Sequence, residues 1–283
     1  MTGVRWRELR TGTDDRTIVA VDFGPGRRAA SFADLVRELG PGPAVREPVF
    51  DQRNGDLLEH AAAEYVAAWL DDLRKQDLHV VGVLGYCAGS SLASAFADIC
   101  AERQGTRPPV VLFDPQLIDG AALYANFESA VESFAEVTEP TRMAEARALA
   151  RAAISANRAL GDPVALVSAV GAAYERVVHW AAELLGVEDD LTDQMTAHFR
   201  SYLSYLVLAA QVVAAPPDTS ADTVVLASAG HQLPPGWHAS SVFPVARENL
   251  LADPRVADAV EQIIGGGTRV DPPPAPIAES ARS

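Results

Sequence analysis

A chain of 283 residues, 48% of them hydrophobic, is long enough to bury a sizeable core, and one large α/β domain is the expectation for it. With 38 acidic residues against 23 basic and a formal net charge of −15, its surface repels phosphate backbones and anionic bilayers, which argues against nucleic-acid and membrane partners. No apolar run approaches the roughly 18 residues of a spanning helix, and the opening "MTGVRWRELRTGTDDR" lacks the apolar core of a signal peptide, so a cytoplasmic protein is expected.

The two cysteines, Cys87 and Cys100, are not expected to pair in a reducing compartment. The histidines are scattered and no metal-ligand spacing appears, so no metal is expected. In chain order, "TIVAVD" (17–22) reads as a strand running into the turn "FGPG" (23–26). "SFADLVREL" (31–39) has Phe32, Leu35, Val36 and Leu39 at helical spacing, with Ser31 as N-cap and Gly40 as stop. "AVREPVF" (44–50) reads as a short strand, and 56–76 as a long amphipathic helix. "HVVGVLG" (79–85) and "PVVLFD" (109–114) are apolar without alternation, the pattern of buried parallel strands, and the helix 90–105 lies between them.

Residues 119 to about 213 are Ala-rich and helical, with breaks at 138–142, 160–163 and 186–193. Strand signal returns at 222–230 and 240–246, a last helix covers 253–265, and the Pro/Gly-rich tail 266–283 is expected to be disordered. Strands alternating with helices predict a mostly parallel sheet with helices on both faces. The helical insert is placed as a lid over the sheet's C-terminal edge, within one domain spanning 1–265.

Strand, "GYCAG" (85–89), helix has the form of a nucleophile elbow. Gly85 and Gly89 remove Cβ atoms where strand and helix crowd together. The helix N-terminus points at Cys87 and favours its thiolate, while the Ala88 amide faces a developing oxyanion. The alternative is a small apolar residue in an ordinary strand–helix turn. Cys100, mid-helix beside Phe96 and Ile99, reads as core.

With "VDFGPGRRAASFADLVRELGPGPAV", "LLEHAAAEYVAAWLDDL", "VVGVLGYCAGSSLASAFA" and "PVVLFDPQLI" in this order, residues 17 to about 264 resemble the thioesterases of nonribosomal peptide and polyketide synthetases. These are α/β-hydrolases that in most members carry Ser at the elbow. The resemblance implies an α/β-hydrolase fold with Cys87 as nucleophile and Asp114 as triad acid. It places the amides of Phe23 or Gly24, with Ala88, in an oxyanion hole. It further implies a role in secondary-metabolite biosynthesis on acyl or peptidyl thioesters borne by a carrier protein. The phosphopantetheine arm would belong to that partner, so no cofactor of the chain's own is expected. For Asp114 the competing reading is a turn-forming Asp before Pro115.

The family's general-base His is missing. Aligning on "LLADPRVADAV" puts Arg247 at its position, and no His follows His238. Arg cannot accept a proton but can stabilise a thiolate or an oxyanion. A Cys needs a base less than a Ser does. Acyl transfer or slow turnover is therefore expected over fast hydrolysis. His231, in a loop after a strand ending at the same edge, is the best substitute base, against a solvated loop His. His238 is weaker, and His179, His198, His60 and His79 read as packing or surface residues. Leu203, Tyr205, Leu206 and Leu208 in the insert fit either helix packing or an acyl tunnel. The rival functions are a non-catalytic carrier-binding protein on a degenerate hydrolase fold and a cysteine hydrolase of an unrelated small ester.

Overall fold

Strand β2 (Arg16–Val21) explains the architecture in miniature. Ile18 and Ala20 point to one face of the sheet, Val19 and Val21 to the other, and all four are buried. A strand apolar on both sides needs cover on both sides, and helices supply it. The computed structural model describes residues 4–24, 29–50, 58, 61–157, 161–212 and 222–266. On one face, α2 (Ala62–Lys75) and α3 (Gly89–Gln104) bring Trp69, Leu70, Phe96 and Ala97 against Val19, Val21 and Val83. On the other, α1 (Phe32–Glu38) and α8 (Pro254–Ile264) bring Phe32, Leu35, Val256 and Val260 against Ile18, Ala20 and Leu84.

The described residues form one seven-stranded sheet in the order β1-β3-β2-β4-β5-β6-β7. β3 is Ala44–Pro48, β4 His79–Tyr86, β5 Val110–Phe113, β6 Thr223–Ser228 and β7 Ser241–Phe243. Every neighbouring pair from β3 to β7 is parallel. The exception is β1 (Trp6–Arg10), which lies antiparallel to β3 at the sheet edge. The sequence reading assigned no strand there. Its run "WRELR" interleaves three charges with two apolar residues, a pattern fit for a half-covered edge strand, and Trp6 Nε1 is anchored by Asp72 Oδ2 at 2.9 Å.

The insert between β5 and β6 is helical as expected: α4 (Gly120–Glu132), α5 (Pro140–Ala156), α6 (Pro163–Leu185) and α7 (Asp189–Ala210). Asp119 and Asp162 cap α4 and α6 through their carboxylates, and Gly186 ends α6 in the left-handed region at φ 64°. Helix α7 lays Tyr202 and Tyr205 against Phe23, just past the C-terminal end of β2. The expected helix start at 56–60, apart from Leu58, and the expected disordered tail from 267 lie outside the described residues.

Candidate active site

Three non-glycine described residues have positive φ, and two of them meet here: Cys87 at 52° and Asp114 at 41°. A left-handed L-residue costs about 1–2 kcal/mol, so surrounding bonds must hold it. At Cys87 they do. Its N–H donates to Phe113 O at 2.9 Å, and its carbonyl accepts from Ser90 N and Gln116 N, each at 3.2 Å. The flanking glycines answer to steric need. A Cβ on Gly85 would stand 2.7 Å from the Ala93 Cβ, and one on Gly89 2.2 Å from the Val21 carbonyl oxygen. Helix α3 is thereby brought hard against the sheet directly after the cysteine.

The Cys87 sulfur has two side-chain partners. Arg247 Nη2 donates to Sγ at 2.9 Å, and Sγ–H donates to Gln116 Oε1 at 3.2 Å. The Ala88 amide also points at the sulfur. Arg247 leads a short 3-10 helix, Arg247–Ala252, after β7, and its Nε reaches Tyr86 OH at 3.2 Å. Burial outweighs the expected pull of the helix N-terminus, whose Ala88 amide does favour the thiolate. Burial is the largest influence and pushes the thiol up, against the opposing pull of the Arg247 charge. Burial alone would lower the guanidinium, but the Cys87 and Asp114 charges and Tyr86 outweigh it and hold Arg247 firmly cationic.

Asp114 is fully buried at the end of β5. Its carboxylate is taken up by Ser228, whose N–H donates to Oδ1 at 2.8 Å and whose hydroxyl donates to Oδ2 at 2.7 Å. Arg247 Nε stands 4.0 Å from Oδ2 and His231 Nδ1 3.9 Å from Oδ1, so neither makes a hydrogen bond with it. His231 Nε2 lies 3.2 Å from the Pro115 carbonyl, which only accepts, so that nitrogen carries the proton. Asp114 and His231 are thus neighbours, but His231 makes no bond to Cys87.

Cys87 opens on a cavity of about 320 Å³ with Asp22, Phe23, Ala88, Tyr205 and Arg247 among its walls. Of the expected oxyanion residues, Phe23 and Ala88 line it. Gly24 does not, and a Cβ there would sit 2.7 Å from Arg7 Nη2. The remaining histidines lie elsewhere. His198 packs on Phe23 with burial lowering its pKa, His179 bonds the Glu175 carbonyl, and His238 is exposed. His79 begins β4 with an exposed side chain, and His60 is outside the described residues. Cys100 is fully buried, and burial pushes its thiol up to about 12.

The sequence matches no protein-family profile and no curated protein. Solved structures do resemble the chain. A four-domain nonribosomal peptide synthetase in its holo form, bound to AMP and glycine, superposes with a TM-score of 0.52 at 15% identity, over 91% of this chain and 20% of that one. This chain therefore spans about a fifth of the synthetase's length. With the parallel sheet, the elbow after β4 and the insert after β5 already in place, the assignment follows.

The chain has the α/β-hydrolase fold.

The NocB thioesterase domain, solved as a covalent complex with a fluorophosphonate nocardicin G analogue, gives a TM-score of 0.48 at 16% identity, over 93% of this chain and all of that one. An α/β hydrolase from a Medee basin deep-sea metagenome library gives 0.47 at 12%, over 95% and 96%. On this α/β-hydrolase frame, two features of the cysteine's surroundings escaped the sequence reading. Gln116 follows Asp114 by two residues, and that spacing was the signal for its lying at the same edge. Ser228 closes "TVVLAS", and nothing in the sequence ties it to Asp114.

Proposed function

We propose that this chain is an acyl-transfer enzyme in which Cys87 is the nucleophile toward acyl or peptidyl thioesters presented by a carrier protein. One observation carries the reading: a cysteine held in a left-handed turn at a cavity wall, with a guanidinium 2.9 Å from its sulfur. Cys87 Sγ attacks the thioester carbonyl and forms a new C–S bond. The carrier's C–S bond breaks, and its thiolate leaves with the proton that Cys87 gave up. The exchange of one thioester for another is close to balanced, so no metal or cofactor is required for it. Ala88 N–H and the Arg247 cation supply donors where negative charge develops on sulfur and oxygen. Asp114, 4.0 Å from Arg247 Nε and 3.9 Å from His231 Nδ1, supplies a buried counter-charge to the guanidinium.

The likeness to a nonribosomal peptide synthetase supports a carrier-borne substrate in secondary-metabolite assembly. Because His231 makes no bond to the sulfur, no imidazole among the described residues stands there to activate water. The acyl group then passes to an amine or a second carrier thiol faster than to water or an alcohol. A second reading, a non-catalytic carrier-binding protein, is favoured by one observation: burial raises the Cys87 thiol, which is hydrogen-bonded to Gln116. Intact-mass analysis after incubation with an acyl N-acetylcysteamine thioester separates the two. The enzyme gives an acyl adduct on the wild type that Cys87→Ala abolishes. A binding protein gives none, and that result would overturn the proposal.

A further inference from the structure

A second cavity, of about 530 Å³, lies beside the first. Its walls come from the loop after β5, the C-terminal end of α7 and the loop after β6, mostly aliphatic and proline (Leu117, Ile118, Ala209, Ala210, Leu233, Pro234), with Ser91, Asp119 and Gln232 as polar exceptions. One side chain, Gln116, lines both cavities. It is also the acceptor of the Cys87 thiol proton.

These facts join into a device. In the resting thiol, S–H donates to Gln116 Oε1 and holds the amide at the sulfur, on a residue that lines both cavities. When the thiol gives up its proton to attack a thioester it has none to donate, and Oε1 then faces only sulfur lone pairs as the acyl group arrives. The bond is lost and the contact turns repulsive, so the amide rotates and the partition opens. The residues expected from the sequence to line an acyl tunnel do not compete for this role. Leu203, Leu206 and Leu208 are spent on helix packing, and Tyr205 lies on the Cys87 cavity.

We infer that the second cavity is the binding site for an apolar, medium-length acyl chain, with Gln116 as a partition that yields as Cys87 loses its thiol proton in the attack. The occupant follows from continuity: the cavity begins at the residue touching the sulfur, and its walls away from Gln116 are mainly aliphatic and proline. The inference rests on the acyl-transfer reading and specifies its substrate class.

The test measures acylation of the full chain by octanoyl and by acetyl N-acetylcysteamine thioesters, using intact mass over time. The wild type is expected to prefer the octanoyl thioester. Ala210→Phe fills the cavity and Leu117→Arg places a charge at its mouth. Each should slow octanoyl acylation about tenfold or more and leave the acetyl rate unchanged. Leu117 is 38% exposed, so its substitution leaves the fold intact should Ala210→Phe fail to fold. Gln116→Ala removes the partition and should raise the octanoyl-to-acetyl ratio. Equal losses for both thioesters, or no loss in either variant, would overturn the second cavity as the acyl site while leaving Cys87 as the acylated residue. No adduct with either thioester on the wild type would overturn both.

Discussion

Replacing Arg247 by Met removes the one cation bonded to the Cys87 sulfur among the described residues. Two unit charges 2.9 Å apart interact by about 1.4 kcal/mol in bulk water and about 6 kcal/mol at an effective dielectric near 20. The Arg247 side chain is 44% exposed, so solvent screening keeps the value near the lower bound, at about 2 kcal/mol. That corresponds to about 1.5 pK units. The sign is fixed: the guanidinium favours thiolate, so its loss raises a thiol that burial has already raised. At every pH below the wild-type thiol's pKa, the thiolate fraction of Arg247→Met should be about 30-fold lower, and the gap should close only above it. Iodoacetamide labelling followed by intact mass from pH 7 to 10.5 reads this directly. Arg247→Lys keeps a charge but loses the second arm to Tyr86, and should recover part of the rate. An unchanged labelling profile in Arg247→Met, with folding verified by urea denaturation, would refute the electrostatic reasoning.

Two glycines give contrasting expectations. Gly89→Ala drives a Cβ to 2.2 Å from the Val21 carbonyl and should cost about 3 kcal/mol or more by urea denaturation. Gly105→Ala meets nothing within 4 Å but sits at φ 79°, and should cost about 1 kcal/mol. Equal costs would mean that the elbow contact relaxes freely. Ser228→Ala strips a hydroxyl donor from the fully buried Asp114 carboxylate, for a loss of about 2–3 kcal/mol, which Ser228→Thr should largely restore. A loss under about 0.5 kcal/mol would show that Asp114 finds another donor.

The sheet was legible because buried parallel strands leave an unmistakable mark. "HVVGVLG" and "PVVLFD" are apolar on both faces, and each lies within a residue of the strand formed. The elbow was legible because Gly85 and Gly89 are demanded by contacts too close for any Cβ. β1 was not, since an edge strand covered on one side tolerates the charges of "WRELR" and shows no apolar run. The surroundings of the sulfur were half legible. Position in the chain pointed to Arg247, but it could not say that the guanidinium reaches Sγ, nor that Gln116 takes the thiol proton. His231 illustrates the limit. It lies beside the Asp114 carboxylate, yet its ring bonds the Pro115 carbonyl and not the sulfur, a pairing invisible in any sequence.

That absence yields the sharpest test of why a cysteine occupies the elbow. A serine there would need a base at its hydroxyl, because an alcohol ionises far above a thiol and is a weak nucleophile unless a neighbour takes its proton. The groups on the sulfur are a guanidinium, which accepts nothing, and an amide oxygen, which is too weak a base. Cys87→Ser should therefore fold normally, keep both hydrogen bonds and lose acylation by a factor of about 10³ or more, although serine is the common nucleophile on this fold. The measurement is the rate of acyl-adduct formation by intact mass, with urea denaturation confirming an unchanged fold. A serine variant that acylates within about tenfold of the wild type would mean that a base reaches the elbow in solution. His231, 3.9 Å from Asp114, would be the group to remove next. If the double variant Cys87→Ser, His231→Ala were then silent, the site would be a histidine-assisted hydrolase at rest, and the argument for transfer over hydrolysis would fall with it.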